Sequence, residues 1–104
     1  MKGLDLMTSS YIYPALFESC EEGGYCIAFP DLQGCITEGD SLEESVQMAK
    51  EALELYLYNM EDEKEKLPTP SKPKDIKTEQ GSFIYLIEAN MPLIRDKMQN
   101  KAVY

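Results

Sequence analysis

Histidine is absent from this chain of 104 residues, and its absence limits the chemistry that the chain can perform. A Ser-His or Cys-His nucleophile pair cannot be built, and the most common general base and metal ligand of proteins is missing. Long apolar segments are missing too. No run approaches the ~20 residues of a membrane span, and the N-terminal MKGLDLMTSS lacks the apolar stretch of a secretory signal. We therefore expect a cytoplasmic protein that is not an enzyme and uses neither a cofactor nor a metal.

Cysteine is scarce and occurs in an odd number. The three residues, Cys20, Cys26 and Cys35, contain no CxxC pair. Such a set fits neither a disulfide framework nor a usual zinc site. Because free cysteine behaves as a small apolar residue, we expect three buried thiols in a reducing compartment.

Basic residues are few in the first two thirds of the chain. The whole sequence has 19 acidic and 10 basic residues and a net charge of −9. Residues 1–66 carry 15 acidic and 4 basic residues, whereas residues 67–104 carry 4 acidic and 6 basic ones. An acidic surface of this kind repels phosphate backbones. We therefore expect no direct nucleic-acid binding, and a basic protein is the better partner.

Three short strands are predicted before residue 40. Alternating β-forming side chains place them at residues 11–17, 25–29 and 35–37. The pair Gly23-Gly24 predicts the first turn, because glycine adopts positive φ values at little cost. In the second strand the small side chains of Cys26 and Ala28 share a face, which leaves room for a helix to pack closely.

One long amphipathic helix follows the third strand. Ser41 and Glu44 have the spacing of a capping box, which satisfies two backbone donors at a helix start. Apolar side chains then recur at steps of three and four residues. They are Leu42, Val46, Ala49, Leu53, Tyr56, Leu57 and Met60. This stripe predicts a helix that packs one side against the core.

The C-terminal third is predicted to return to the sheet. Three prolines in residues 67–77 disfavour helix and predict an extended connector. Residues 82–89 are apolar on both faces, which is typical of a central strand buried on two sides. A strand reached through a helix is expected to lie parallel to its neighbour, here strand one, after a right-handed crossover. Pro92 fits the first turn of a short C-terminal helix.

The elements predict an α+β fold with the order β-β-β-α-β. We expect a four-stranded mixed sheet, one long helix on one face and a short C-terminal helix. Residues 1–10 are predicted to be a loose leader, residues 11–90 the domain, and residues 91–104 a short helix and tail. A chain of this length buries roughly two thirds of its unfolded surface, which is enough for one modest core.

The stretch from Tyr13 to the prolines after the helix resembles the HicB family of antitoxins. The resemblance is carried by YPALF, the glycine pair, FPDLQGC, TEGDSLEE, Ala49 with Ala52, and LPTPS, which follow one another in the family's order. It covers residues 11–90. It implies a β-β-β-α-β domain like a pared-down RNase H fold without its catalytic carboxylates.

The resemblance also implies a partner. HicB antitoxins bind and neutralise a HicA-type toxin, a small basic ribonuclease that cleaves mRNA, and they form dimers or larger assemblies. Many carry a C-terminal DNA-binding module, and this sequence stops about where one would start, so we expect no autorepression by this chain alone. Our candidates for toxin contact are the polar residues at strand ends and turns. They are Glu21, Glu22, Asp31, Gln33, Glu38 and Asp40.

Two alternatives remain from the sequence. A residual RNase H-like nuclease would need carboxylates on adjacent strands, whereas Asp31, Glu38 and Asp40 occupy turn and cap positions that explain them structurally. A stand-alone interaction domain of the same fold would have no toxin partner. Co-expression with a neighbouring small basic protein distinguishes the second alternative from an antitoxin.

Overall fold

A computed structural model describes residues 10–100 of the chain. Its elements are β1 (Ser10–Ser19), β2 (Tyr25–Ala28), β3 (Ile36–Gly39), α1 (Leu42–Asp62), a 3-10 turn (Pro73–Asp75), β4 (Phe83–Asn90) and α2 (Met91–Asn100). The predicted succession of three strands, a long helix, a fourth strand and a short C-terminal helix is confirmed. Residues 1–9 of the predicted leader and residues 101–104 of the predicted tail lie outside the described range.

The four strands form one sheet in the order β3-β2-β1-β4, so the predicted placement of β4 beside β1 is confirmed. Every neighbouring pair is antiparallel. The register of β1 with β4 runs from Ser10 opposite Asn90 to Phe17 opposite Phe83. The expectation of a mixed sheet with a parallel β4 is therefore wrong.

The connector between α1 and β4 explains the antiparallel pairing. The 21 residues of α1 span roughly 32 Å along the sheet. Residues 63–82 are enough, in extended form, to carry the chain back over that length. β4 therefore enters the sheet at the end where α1 begins and runs in the direction of the helix. Lys50 Nζ accordingly donates to the Glu88 carbonyl at 2.9 Å, and the Asn90 amide donates to the Glu54 carboxylate at 2.7 Å.

The core lies between α1 and one face of the sheet. Its buried apolar side chains are Tyr13, Ala15, Phe17, Ile27, Phe29, Leu32, Cys35, Ala49, Leu53, Leu57, Ile87, Ala89 and Met91. Cys26 and Ala28 alternate with Ile27 and point away from the helix. The expectation that these two small residues make room for the helix is wrong. The large apolar residues of β2 take the covered side because they remove more apolar area from water.

The start of α1 is capped as predicted. The Glu44 amide donates to Ser41 Oγ at 3.1 Å, and the Asp40 amide donates to the Glu44 carboxylate at 2.6 Å. The predicted stripe is buried or partly buried from Val46 onward, whereas Leu42 is 43% exposed. The stripe thus begins to meet the core one turn after the helix begins.

β4 is an edge strand, and the prediction of a central strand buried on two sides is wrong. Ile87 is buried in the core, but Leu86, which points to the other face, is 52% exposed. Apolar residues on both faces of a strand usually indicate two covering layers. Among the described residues only one such layer is present, so the second face of the sheet is open.

Cys20 and Cys26 form a disulfide with a Cα–Cα distance of 6.0 Å. The register of the β1–β2 hairpin places Ser19 opposite Tyr25, so the two cysteines meet where the turn begins and ends. The expectation of three free thiols is wrong for this pair, because the hairpin brings together residues that carry no local motif. Cys35 is free and buried, as expected.

Two contacts attach the C-terminal segments to the core. The Tyr13 hydroxyl donates to the Pro68 carbonyl at 2.5 Å, and burial, followed by the charge of Asp31, raises the pKa of Tyr13 so that it remains a donor. Arg95 of α2 donates two hydrogen bonds to the Glu61 carboxylate of α1, at 3.0 and 2.7 Å. The connector and α2 are therefore held to the same layer as α1.

Candidate functional site

The face of the sheet that points away from α1 is apolar, and no helix of the described residues packs over it. We call it the open face. Strand alternation places on it the apolar residues Ile12, Pro14, Leu16, Ala28, Ile36, Ile84 and Leu86, of which Pro14 is buried and Leu16, Ala28 and Ile84 are partly buried. Ile12 is 50% exposed, Leu86 is 52% exposed and Ile36 is 68% exposed. Large apolar side chains exposed on one surface, with smaller or partly buried apolar residues between them, are often part of a binding site.

The charged residues that share the open face are all acidic. Glu18, Glu38 and Glu88 alternate with the apolar residues of β1, β3 and β4, and each is exposed. Lysine and arginine are absent from the described strand residues of this face. A concavity of about 540 Å³ lies at its β2–β3 side, lined by Glu18, Cys26, Ala28, Ile36, Glu38 and Met48 together with residues 27 and 37. The face therefore combines an apolar centre with a negative border.

Four of the six predicted contact residues come together at one end of the sheet. Glu21, Glu22, Glu38 and Asp40 line one cavity of about 410 Å³ between the β1–β2 turn and the start of α1. We call these four residues the acidic cluster. Gly23 and Gly24 form its turn with φ values of 98° and 77°, which glycine tolerates best. The cluster thus combines a hairpin turn and a helix cap from different parts of the chain.

The other two predicted residues, Asp31 and Gln33, lie in the β2–β3 loop at the opposite end of the sheet. The Asp31 carboxylate accepts from the Ser71 amide at 2.8 Å and from the Ser71 hydroxyl at 2.5 Å. The Gln33 carbonyl accepts from the Tyr56 hydroxyl at 2.7 Å. Asp31 thus anchors the proline-rich connector, and these two residues are separate from the acidic cluster.

Sequence reasoning missed Glu18, Glu88 and the exposed apolar residues of the open face. A signal was present in β1, where Ile12, Leu16 and Glu18 fall on one side of the alternation. The pattern alone could not identify the side that α1 covers. That choice depends on the total apolar area of each face, which only the assembled sheet reveals.

Within residues 10–100, no group of three or more His, Cys, Asp or Glu side chains is arranged to hold a metal ion. None of the helices in that range is long and apolar enough to cross a membrane. The pKa of the Cys35 thiol is raised to about 11 by burial. Cys35 Sγ lies 3.7 Å from the Ala52 carbonyl oxygen, inside the core.

A family model described as the HicB-like antitoxin of bacterial toxin–antitoxin systems matches residues 13–103. The chain belongs to this family. The match includes β2, β3, both helices, β4 and most of β1. The family assignment made from YPALF, FPDLQGC and TEGDSLEE is confirmed.

A curated relative supports the assignment to the HicB-like antitoxins. Antitoxin HicB 1 of Photorhabdus laumondii is 41% identical over 58 residues, which are 56% of this chain and 37% of that protein. The chain therefore spans little more than a third of the length of this relative.

Solved structures share the fold. The toxin–antitoxin complex from Streptococcus pneumoniae contains a chain that matches with a TM-score of 0.72 at 22% identity, covering 81% of this chain and 71% of that one. A chain of the HicA3 and HicB3 toxin–antitoxin complex matches with a TM-score of 0.63 at 24% identity, covering 77% of this chain and 99% of that one. At these identities the likeness concerns the fold.

Proposed function

We propose that this chain is an antitoxin that binds and neutralises a small, basic, mRNA-cleaving toxin of the HicA type. Its acidic surface covers the RNA-binding face and the active site of the toxin. The observation that carries the proposal is the acidic cluster, in which four carboxylates line one cavity on a chain of net charge −9. A ribonuclease surface built to hold phosphates is complementary to such a cluster.

In the proposed mechanism, charge and apolar contact determine different properties of the complex. Carboxylates at the surface mainly accelerate association and select a basic partner, since exposed ion pairs contribute little lasting affinity. Apolar side chains excluded from water supply most of the affinity. Occlusion of the active site then stops mRNA cleavage without any catalytic step by the antitoxin.

Self-association and a cytoplasmic location belong to the same proposal. β3 and β4 are the outer strands of the sheet, and the main-chain groups of an outer strand are available to a strand of another chain. We propose that copies of this chain associate through these edges. The toxin acts on mRNA, so its antitoxin works in the cytoplasm.

Co-expression tests the proposal. The chain is produced with the small basic protein encoded next to it, whose toxicity is first measured alone. We expect restored growth, a co-purified complex and loss of mRNA cleavage in vitro. Growth arrest that persists with the full chain present, without a complex, would show that the chain is not an antitoxin for that protein.

A matched pair of variants tests the electrostatic part. E21K with E22K reverses two charges of the acidic cluster, and E63K with E65K reverses two charges after α1, so both variants change the net charge equally. We expect the first pair to slow association with the toxin by about tenfold or more and the second pair by much less. Equal effects would mean that net charge, rather than the cluster, attracts the toxin.

A further inference from the structure

The open face exposes several large apolar side chains on one side of the sheet. β1 and β4 pair over eight residues, and β2 pairs with β3 over four. At about 3.3 Å per residue and 4.8 Å between strands, the face measures roughly 400 Å². The largest apolar patch on a typical monomer is of this size and often functional. Ile12, Ile36 and Leu86 are each half exposed or more on it.

The charges on the face indicate the chemistry of its partner. Glu18, Glu38 and Glu88 lie among the apolar residues, and two copies placed face to face would bring six carboxylates together. Like charges opposed in a closed interface are unfavourable, so a second copy of this acidic chain fits poorly. A basic surface with apolar residues at its centre matches both features.

The open face is continuous with the acidic cluster. Cys26 and Glu38 line both the concavity on the face and the cavity of the cluster. A stable interface takes about 800 Å² from each partner, which is more than the face alone provides. A partner seated on the face and extending over the cluster would bury more surface than the face alone provides. On the side covered by α1 most apolar residues of the sheet are buried in the core, whereas exposed ones such as Leu55 and Leu93 lie on the helices.

From these observations we infer that the open face is the apolar centre of the interface with the basic toxin, and that the acidic cluster is its polar rim. The inference rests on the proposed function. Ile12, Ile36 and Leu86 contact apolar residues of the toxin, while Glu18, Glu38 and Glu88 pair with its lysines and arginines. Helix α1 lies on the far side of the sheet, and of its residues only Met48 lines the concavity at the β2–β3 side of the face.

Paired substitutions test this assignment with the full chain and a catalytically inactive form of the neighbouring toxin. I36S with L86S removes two exposed apolar side chains from the open face. L55S with L93S removes two from the helices, where Leu55 is 45% exposed and Leu93 is 66% exposed. Circular dichroism and thermal unfolding are measured for each variant, and further variants with polar residues at Ile12 are added if one fails to fold.

We expect the open-face pair to raise the Kd for the toxin by about 100-fold, since each residue at an interface centre contributes about tenfold. The helix pair should change the Kd by less than about threefold. Equal Kd values for both pairs, with the wild type still binding, would overturn this inference and leave the antitoxin function intact. A wild-type chain that does not bind the toxin would overturn both.

Sedimentation of the free chain tests whether the open face binds a second copy of the chain instead of the toxin. We expect I36S with L86S to leave the mass of the free protein unchanged at every concentration. If the wild type forms a dimer that this variant loses, the open face is a contact between copies and the inference is wrong.

The pair E18Q with E38Q, compared with E43Q and E51Q on α1, should slow toxin association by about tenfold.

Discussion

The Cys35 side chain is only 4% exposed and lies against α1, with Sγ 3.7 Å from the Ala52 carbonyl oxygen. Its burial raises the thiol pKa to about 11, so almost no thiolate exists near neutral pH. The other two cysteines are joined to each other. Each cysteine of the folded protein is therefore protected from thiol reagents, although for different reasons.

Thiol counting with a chromogenic disulfide reagent at pH 8 checks this arrangement. We expect no reaction in the folded protein, one thiol from Cys35 after unfolding in denaturant, and three after unfolding with reductant. Three thiols from the unreduced, unfolded chain would contradict the Cys20–Cys26 disulfide. Because the folded thiol holds its proton more tightly than the unfolded one, its contribution to stability is lost as the pH rises toward 11.

At the junction between β3 and α1 the two elements approach each other closely. A Cβ atom added at Gly39 would lie 2.7 Å from Ser45 Cα and 2.8 Å from the Ser45 amide nitrogen. Both contacts are with the backbone, which cannot move aside as a side chain can. Ser45 itself is fully buried beneath this strand. Glycine at residue 39 is therefore required for α1 to begin where it does.

We expect G39A to lower the free energy of unfolding by about 2 kcal/mol, the usual cost of overpacking a close contact. The midpoint of thermal unfolding should fall by roughly 10 °C for a domain of this size. E38A is the matched control, since it places alanine at the neighbouring exposed residue. Equal stability of G39A and wild type in urea titrations would show that α1 shifts to accommodate the methyl group.

Local signals predicted the elements well and their arrangement less well. Some features depend only on residues that are close in sequence, and a sequence pattern shows these. They are the strand limits near Tyr25, the cap at Ser41 and the apolar stripe of α1. The direction of β4 depends on whether residues 63–82 return along the sheet, and nothing in their composition specifies a path. The Cys20–Cys26 disulfide depends on the hairpin register in the same way.

The sequence predicted the negative charge of the candidate site but not the arrangement of its residues in space. Acidic residues at turns indicated a basic partner, and the structure gathers four of the six candidates into the acidic cluster. Asp31 was indistinguishable from them in sequence, although its carboxylate binds Ser71 of the connector. The open face was missed because a strand pattern does not state which of its two sides a helix will cover.

The molecule as a whole carries a strong negative charge, and its acidic residues are concentrated before residue 67. At low ionic strength such a charge attracts a basic protein over distances of about 10 Å or more, whereas salt shortens that range. In the proposed complex, the charge acts before the two proteins touch. The apolar open face of the proposed interface acts only after contact, when water leaves it.

The two stages predict different salt dependence for association and dissociation. Between about 50 and 500 mM NaCl, we expect the association rate constant with the toxin to fall by about tenfold or more. The dissociation rate constant should change by less than about threefold, because apolar burial dominates the bound state. Stopped-flow fluorescence measures both. A dissociation rate that rises as steeply as association falls would show that ion pairs dominate the bound complex.

The antiparallel pairing of β1 with β4 also has a consequence during synthesis. β1 pairs with β2 within a local hairpin. Phe17 of β1 pairs with Phe83 of β4, which the ribosome adds 66 residues later. At about 5–20 residues per second, this delay lasts roughly 3–13 s. For that time β1 has one unpaired edge and α1 has no complete sheet to cover. The nascent chain is thus most exposed to proteases and to misassembly before β4 emerges.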